Sequence, residues 1–245
     1  MNEGEIQTII DGLRFIIGVV ILLYASYTDI KTRRAANYLW VIMGITGGVL
    51  LVIHYLLLGF DNYYYLIFIP VMIGFFYLMY QLRLLVGGAD AKALMALAIL
   101  VPIQPVMDGL PLWGVTFMPA VWSIFANSVI LFLVIPVTLL LYNLTRRDIK
   151  FPHCLLGYKM SLDKARVSFV WPMEHIVDGK TKFSRTPRDE DEEEIFNKFK
   201  ELGVERIWVT PKIPFMIPLL IGFVITFTLG DILTFIMRFF LSQGV

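Results

Sequence analysis

The chain has 245 residues, 58% of them hydrophobic, and its mean hydropathy is +0.72. Ordinary globular domains contain roughly 45 to 50% apolar residues, so this composition predicts a protein with several membrane-spanning segments. The 21 Lys and Arg nearly balance the 20 Asp and Glu, leaving a net charge of +1, which argues against a nucleic-acid-binding protein and an acidic interaction tail. The single cysteine, Cys154, excludes an internal disulfide bond and a zinc ribbon with several cysteines.

Runs of about 20 apolar residues predict membrane-spanning helices, because roughly 30 Å of hydrocarbon requires that length at about 1.5 Å per residue. No basic signal-peptide region precedes the first run, so we expect this run to remain in the mature protein. In the fourth run, Pro102 and Pro105 end the helix after about a dozen residues, too few to cross a bilayer alone. The six predicted segments are 13–28, 37–58, 63–86, 89–101, 119–143 and 213–240.

Basic residues are distributed unevenly between the loops. Residues 31–37 and 83–92 carry five lysines and arginines and residues 145–212 carry fourteen, whereas residues 59–62 and 102–118 carry none. By the positive-inside rule, the basic loops are cytoplasmic. We therefore expect both chain termini on the outside and the large polar segment on the inside.

The polar segment 145–210 is predicted to form a small α/β domain rather than to enter the membrane. Its stretch 166–185 is typical of a β-hairpin with a tight turn at Asp178 and Gly179. This pattern predicts two short antiparallel strands early in the segment.

A helix and a further strand are predicted to complete the segment. Thr186 and Pro187 are typical of a helix start, and Gly203 of its end. The stretch 205–210 then predicts a short strand.

The predicted fold is therefore an α-helical polytopic membrane protein. It has six transmembrane helices, with a small cytoplasmic α/β insert between helices five and six. The predicted divisions are residues 1–144 with the first five helices, the insert 145–210, and residues 211–245 with the last helix.

Few carboxylates fall at or within the apolar segments, where a charge at the bilayer centre costs about 2.5 to 3.5 kcal/mol. Asp29 ends the first segment, Asp90 begins the fourth, and Asp231 falls within the sixth. Asp29 and Asp90 share the predicted cytoplasmic side, whereas Asp231 is expected near the outer interface, so only the first two are expected to meet. The carboxylates predicted to be solvated in outer loops or helix ends are Asp11, Asp61 and Asp108.

Two facing carboxylates form an acid/base pair, because like charges a few ångströms apart disfavour double ionisation. Gly87 and Gly88 are expected to permit a turn that ordinary residues resist, so that helix four starts beside helix three. Taken separately, Asp90 has an alternative interpretation as a helix cap, and Asp29 as an interfacial residue in a local ion pair. The two aspartates are 61 residues apart in the chain but are predicted on the same side of the membrane, and this favours the pair.

The joint pattern of SYTDIKTRRAANYLW and GGADAK resembles the two-aspartate signature of the GxGD membrane aspartyl proteases. It is most similar to the type IV prepilin peptidase group and, within it, to the archaeal preflagellin peptidases. The PKIPFMIP entry to the last helix fits the same family, so the resemblance covers most of the chain.

The resemblance implies roles for residues of both motifs. It implies that Asp29 and Asp90 are the catalytic pair. The residues that it implies for the active-site turn are Gly87, Gly88 and Ala89, and the possible supporting residues are Asn37 and Lys92.

Two residues depart from the family pattern: Ala89 stands where GxGD has a glycine, and Ala36 where a proline is usual. Neither departure removes a catalytic atom. The first raises the question of how closely helices three and four approach. Asn37 has an alternative interpretation as the N-cap of helix two.

The activity that the resemblance implies is a membrane aspartyl endopeptidase without cofactor or metal. Its expected substrates are preflagellin or prepilin-like precursors with a basic leader and an apolar helix, cleaved at the cytoplasmic face. A presenilin-like intramembrane protease and a proton- or cation-coupled transporter remain alternatives. The paired CxxC motifs of bacterial relatives that also methylate their product do not occur, and the three histidines and Cys154 show no metal-ligand spacing.

Two further features have interpretations that do not involve catalysis. The acidic run 189–194 either attracts a basic leader or forms a solvated first helical turn. Ser123 and Asn127 in the fifth segment are expected to hydrogen-bond a neighbouring helix.

Overall fold

The computed structural model describes residues 2–59, 64–85, 87–177, 180–183 and 192–243. These residues form two compact units. The first unit comprises Met1–Phe132 and Pro214–Val245, and the second comprises Leu133–Ile213.

The described residues are mostly helical. Their helices are α1 Glu3–Thr32, α2 Asn37–Leu58, α3 Tyr64–Gln81, α4 Gly88–Leu100, α5 Ala120–Phe132, α6 Val134–Arg146, α7 His153–Leu156, α8 Leu162–Val167, α9 Glu192–Glu201, α10 Met216–Thr228 and α11 Ile232–Gln243. Their strands are β1 Tyr158–Ser161, β2 Val170–Pro172, β3 Glu174–Val177, β4 Lys180–Phe183 and β5 Arg206–Pro211.

Three helical stretches of the described chain are long and apolar enough to cross a membrane, so the protein is a membrane protein with fewer clear spans than the six predicted. They are α1, α2 and the stretch Ala120–Arg146, which joins α5 and α6. A fourth candidate is the pair of α10 and α11, which are bent by 54° at their junction. The apolar part of α3, Leu66–Gln81, and the 13-residue α4 are shorter than a span.

The single helix predicted over 213–240 is wrong, because the chain breaks between α10 and α11. Gly230 has φ +115°, in the left-handed region that favours glycine. Asp231 follows it, and its Oδ1 accepts a hydrogen bond of 2.7 Å from the backbone N–H of Thr234. Asp231 therefore lies at the break and caps α11, rather than falling within a helix.

Asn127 of α5 supplies the polar contacts at this break, as predicted for a buried amide that bonds a neighbouring helix. Its Nδ2 donates to Thr226 Oγ1 at 3.0 Å and to the Gly230 carbonyl at 2.9 Å. Its Oδ1 accepts from the Ile232 N–H at 3.0 Å. The amide thus satisfies backbone groups that the end of one helix and the start of the next leave open. The other predicted residue, Ser123, accepts a hydrogen bond from Gln104 Nε2 at 3.0 Å.

Asn127→Leu is expected to destabilise the protein by about 1 to 3 kcal/mol, because it leaves the Gly230 carbonyl and the Ile232 N–H buried without this partner. Denaturant unfolding in detergent measures the change. Thr138→Ala is the matched control, since that exposed hydroxyl donates to the Val134 carbonyl of its own helix. Equal stability of the two variants would show that the amide does not hold the break.

Asp11 is not the solvated carboxylate that was predicted. Asp11 and Arg14 are both completely buried, with Arg14 Nη1 2.8 Å from Asp11 Oδ1. The Asp11 carboxylate also accepts hydrogen bonds from Gln7 Nε2 at 2.7 Å and from the Val106 N–H at 2.9 Å. The pair thus ties α1 to the segment that follows α4. Asp108 is exposed as predicted, and Asp61 lies outside the described residues.

Helix α4 lies in the core of the first unit. Its side chains Ala91, Ala93, Leu94 and Leu97 are buried, and it packs against α2 and α3. A Cβ at Gly47 of α2 would lie 2.5 Å from the Leu100 Cα, so α2 and α4 approach backbone to backbone. This packing holds a helix that is too short to span a membrane, and it sets where its first turn lies.

The second unit contains α6 and a small α/β module. Strands β1, β5 and β2 form an antiparallel sheet in that order, and β3 and β4 form a separate two-stranded pair. The predicted hairpin is confirmed in β3 and β4, although its turn at Asp178 and Gly179 lies outside the described residues. Its predicted beginning is wrong, since Arg166 and Val167 belong to α8.

The end of the predicted helix and the following strand are confirmed. Helix α9 ends at Glu201, two residues before Gly203, whose φ is +67°, and β5 covers Arg206–Pro211. The predicted helix start at Thr186 and Pro187 lies outside the described residues.

Candidate active site

Asp29 lies in the last turn of α1, half-buried. Its carboxylate accepts a hydrogen bond from the backbone N–H of Met216, the first residue of α10, and interacts electrostatically with Arg33. One turn earlier, Ser26 Oγ donates to the Met216 carbonyl at 3.0 Å. The end of α1 is thus attached to the start of α10 by two polar contacts, and these orient the carboxylate.

Asp90 lies in the first turn of α4, where Gly87 is the N-cap residue. Its carboxylate folds back over Gly87, since a Cβ built there would lie 2.2 Å from Asp90 Oδ2 and 2.8 Å from its Cγ. Gly87 was expected to permit a turn that ordinary residues resist. This expectation is wrong, because the φ of Gly87 is −94°, which any residue adopts. Glycine is required here for space, because its missing side chain leaves room for the carboxylate.

The two residues after Gly87 complete the turn. Gly88 lies against the ring of Tyr80 in α3, with a Cβ position 3.4 Å from the Tyr80 Oη, so α4 starts beside α3 as expected. Ala89 is half-buried and packs against the core of the first unit. The alanine in place of the family's glycine is therefore accommodated by ordinary packing.

Asp29 and Asp90 are near each other in the structure. Helices α1 and α4 contact each other, and the two carboxylates lie close enough to interact electrostatically. Like charges in neighbouring carboxylates disfavour double ionisation, which suits an acid/base pair. Within the described ranges, no group of three or more His, Cys, Asp and Glu side chains could hold a metal ion.

The two supporting residues named from the sequence are also brought together. Lys92 Nζ donates a hydrogen bond of 2.8 Å to Asn37 Oδ1, across 55 residues of chain. The alternative interpretation of Asn37 as an N-cap is wrong, because Ala36 occupies that position and Asn37 is the first residue of α2. The contact joins the starts of α2 and α4 beside Asp90.

Three contributions to the site were missed from the sequence: the Met216 N–H, Ser26 and Tyr80. Ser26 precedes Asp29 by one helical turn and so shares its face of α1, and this spacing could be read from the sequence. The Met216 contact depends on the packing of α10, which no local pattern reports. A groove of about 750 Å³ between residues 2–9 and 106–109 lies elsewhere, since its lining includes neither aspartate.

Comparison with known proteins gives consistent matches over nearly the whole chain. Residues 16–144, which include both aspartates, match the model of the type IV leader peptidase family, and residues 149–232 match that of the archaeal peptidase A24 C-terminus, type II. The chain is 31% identical over 236 residues to the preflagellin peptidase of Methanococcus voltae, covering 89% of this chain and 96% of the relative.

Two further relatives agree. The preflagellin peptidase of Methanocaldococcus jannaschii is 30% identical over 232 residues, covering 89% of this chain and 94% of the relative. That of Methanococcus maripaludis is 29% identical over 242 residues, covering 93% and 100%.

Proposed function

This chain belongs to the type IV leader peptidase family, and we propose that it is an aspartyl endopeptidase that removes the basic leader from preflagellin and other prepilin-like precursors. The observation that supports the proposal is that Asp29, at the end of α1, and Asp90, at the start of α4, lie near enough to interact electrostatically. Both residues fall within the matched part of the chain.

The proposed reaction uses the two carboxylates and one water molecule. The ionised aspartate takes a proton from water as the water oxygen bonds to the peptide carbonyl carbon, and the protonated aspartate donates its proton to the carbonyl oxygen. When the tetrahedral intermediate collapses, the C–N bond breaks and the protonated carboxyl group gives its proton to the leaving amine. The other carboxylate takes a proton from one hydroxyl of the intermediate as the C=O bond of the product acid forms, so the pair again holds one proton. The pair titrates as a unit, so neither member is assigned the resting proton.

The proposed topology has six membrane segments, with both termini outside and the site and residues 145–210 cytoplasmic. The basic loops support this orientation. Helix α4 has 13 residues, about 20 Å of helix, so Asp90 at its start is recessed below the cytoplasmic interface when its far end reaches the outer one. The proposed divisions remain residues 1–144, 145–210 and 211–245.

This location suits the proposed substrate. A precursor with a basic leader followed by an apolar helix keeps its helix in the lipid and its leader in the cytoplasm, so the bond between them lies at the level of a shallow, recessed site. Part of the acidic run 189–194 lies outside the described residues, and its remainder begins α9. Attraction of the leader by this run stays a proposal.

Cleavage of a preflagellin by the full chain in lipid vesicles tests the proposed function. We expect one cut, at the boundary between the basic leader and the apolar helix, located by mass spectrometry of both products. A cut inside the apolar helix would favour the presenilin-like alternative. Coupled proton or cation flux without proteolysis would favour the transporter and overturn the proposal.

We further propose that Asn37 and Lys92 position the first turn of α4. Lys92→Met removes the 2.8 Å hydrogen bond and is expected to lower kcat about two- to tenfold, the effect of one net hydrogen bond of about 0.5 to 1.5 kcal/mol. KM is expected to change little, because the contact acts on Asp90 rather than on the substrate.

A double-mutant cycle checks this positioning role. Asn37→Ala combined with Lys92→Met is expected to be no slower than either single variant, since both changes remove the same contact. Asn37→Asp keeps an acceptor for Lys92 and is expected to retain kcat. Fully additive losses would show that the two side chains act separately.

A further inference from the structure

One end of the three-stranded sheet in the second unit collects several chain segments. Tyr158 at the start of β1 lies opposite Val209, and Val170 at the start of β2 lies opposite Pro211. Because both strands are antiparallel to β5, their starts meet at the end of β5. The segments that precede β1 and β2 therefore converge at this end of the sheet.

Large apolar side chains on the chain segments before β1 and β2 are exposed. Ile149 and Phe151, on the segment leading to β1, are 63% and 77% exposed, and Phe169, next to β2, is 56% exposed. The Phe169 carbonyl accepts a hydrogen bond of 2.9 Å from the Lys212 N–H, which attaches it to the end of β5. Several large exposed apolar side chains on neighbouring segments are typical of an interaction surface.

Basic side chains accompany these apolar groups. They are Arg146, Arg147, Lys150 and Lys212. Lys150 Nζ lies 2.9 Å from Glu174 Oε1, and Lys212 Nζ lies 5.3 Å from the ring of Trp171. Apolar side chains rimmed by lysine and arginine match the surface of a bilayer that contains anionic lipids.

The same end of the sheet is where the chain meets apolar helices. Asn143 in the last turn of α6 donates to the Gly157 carbonyl at 2.7 Å and to the Cys154 carbonyl at 2.9 Å, just before β1. Helix α6 ends the candidate membrane span Ala120–Arg146. After β5, the chain reaches the apolar helix α10 at Met216. A surface at this end of the sheet therefore adjoins α6, the helix that ends the candidate membrane span.

We propose that this end of the module is a membrane-docking surface. We define the docking surface as Ile149, Phe151 and Phe169 with Arg146, Arg147, Lys150 and Lys212. The apolar side chains enter the interfacial region of the leaflet, and the basic side chains meet anionic headgroups. The proposed partner is the lipid surface, because α6 attaches this end of the sheet to the end of a candidate membrane span.

Fluorophores on single cysteines in the full chain test the proposal. In a Cys154→Ala background, Phe151→Cys and Phe169→Cys each receive a fluorophore, and the protein is placed in phosphatidylcholine vesicles with phosphatidylglycerol and a headgroup-labelled nitroxide lipid. Glu205→Cys is the matched control. It is exposed and precedes the start of the six-residue β5, about 20 Å from the end of that strand at Pro211.

The nitroxide lipid is expected to quench the fluorophores at 151 and 169 strongly and the one at 205 weakly. Arg147→Gln is expected to weaken docking. The ratio of docked to undocked protein, measured from the quenching at 151 and 169, is expected to fall about fivefold, the effect of one basic residue at an anionic surface. High salt or omission of phosphatidylglycerol is expected to act in the same direction.

Three outcomes would overturn the proposal. Equal quenching at all three positions would mean that the docking surface does not face the lipid. Crosslinking of Phe151→Cys between two copies, without quenching, would assign the surface to a second chain. A change in quenching at positions 151 and 169 that appears only when a preflagellin is added would assign the docking surface to the substrate.

Discussion

Asp29→Asn and Asp90→Asn are each expected to abolish preflagellin cleavage, with a loss of rate of about 10²- to 10⁴-fold or more. Asparagine keeps the size of the side chain but can neither accept nor deliver the proton at that position. Because the two carboxylates act as one unit, the double variant is expected to be no slower than either single variant. The measurement is single-turnover cleavage in vesicles, at equal amounts of inserted protein.

Asp231→Asn and Asp108→Asn provide controls with the same chemical change outside the site. Asp231 caps α11 through its contact with the Thr234 N–H, and asparagine is an equally good N-cap. Asp108 is exposed. Both variants are expected to cleave at the original rate. Substantial activity in Asp29→Asn or Asp90→Asn would falsify the assignment of the pair.

Gly87→Ala is expected to reduce cleavage about 10²-fold, the loss that a misplacement of about 1 Å can cause in a catalytic group. The added Cβ would lie 2.2 Å from Asp90 Oδ2, so the carboxylate must rotate or the start of α4 must move. The backbone itself accepts alanine, since φ is −94° at this position. The expected loss is therefore one of positioning, and it is measured as kcat.

Gly88→Ala is the matched control for this prediction. Its nearest contact would be the Tyr80 Oη at 3.4 Å, which a small movement of the tyrosine relieves. We expect a change of less than about tenfold, because the reacting groups need not move. Thermal unfolding separates positioning from folding: Gly87→Ala is expected to unfold near the original temperature. Equal losses in the two variants would argue against a special role for the space at Gly87.

The sequence predicted a site made of two motifs, whereas in the structure a third element, α10, also contributes to it. Helix α1 provides Asp29 and α4 provides Asp90, while α10 holds the Asp29 carboxylate through the Met216 N–H. A carboxylate that accepts a hydrogen bond from the backbone N–H at the start of a helix is held in a fixed orientation. This contact is a physical reason to expect that changes near the start of α10 affect the proteolytic rate.

The sequence by itself determined the features that depend on neighbours along the chain. Apolar runs indicated α1 and α2, and the prolines after residue 101 indicated where α4 ends. Gly203 marked the end of α9, because a glycine with positive φ ends a helix locally. Asp29 and Asp90 could be singled out because few carboxylates fall at or within the apolar segments and these two share one predicted side of the membrane.

The tertiary structure decided what depends on groups that are distant in the chain. The break at Gly230 is held by Asn127, and the burial of Asp11 depends on the Val106 N–H. Periodicity reports which face of a helix is apolar, but it carries no information about which distant polar group meets that face. For the same reason, the sequence named Asn37 and Lys92 separately, and only the packing of α2 against α4 joined them.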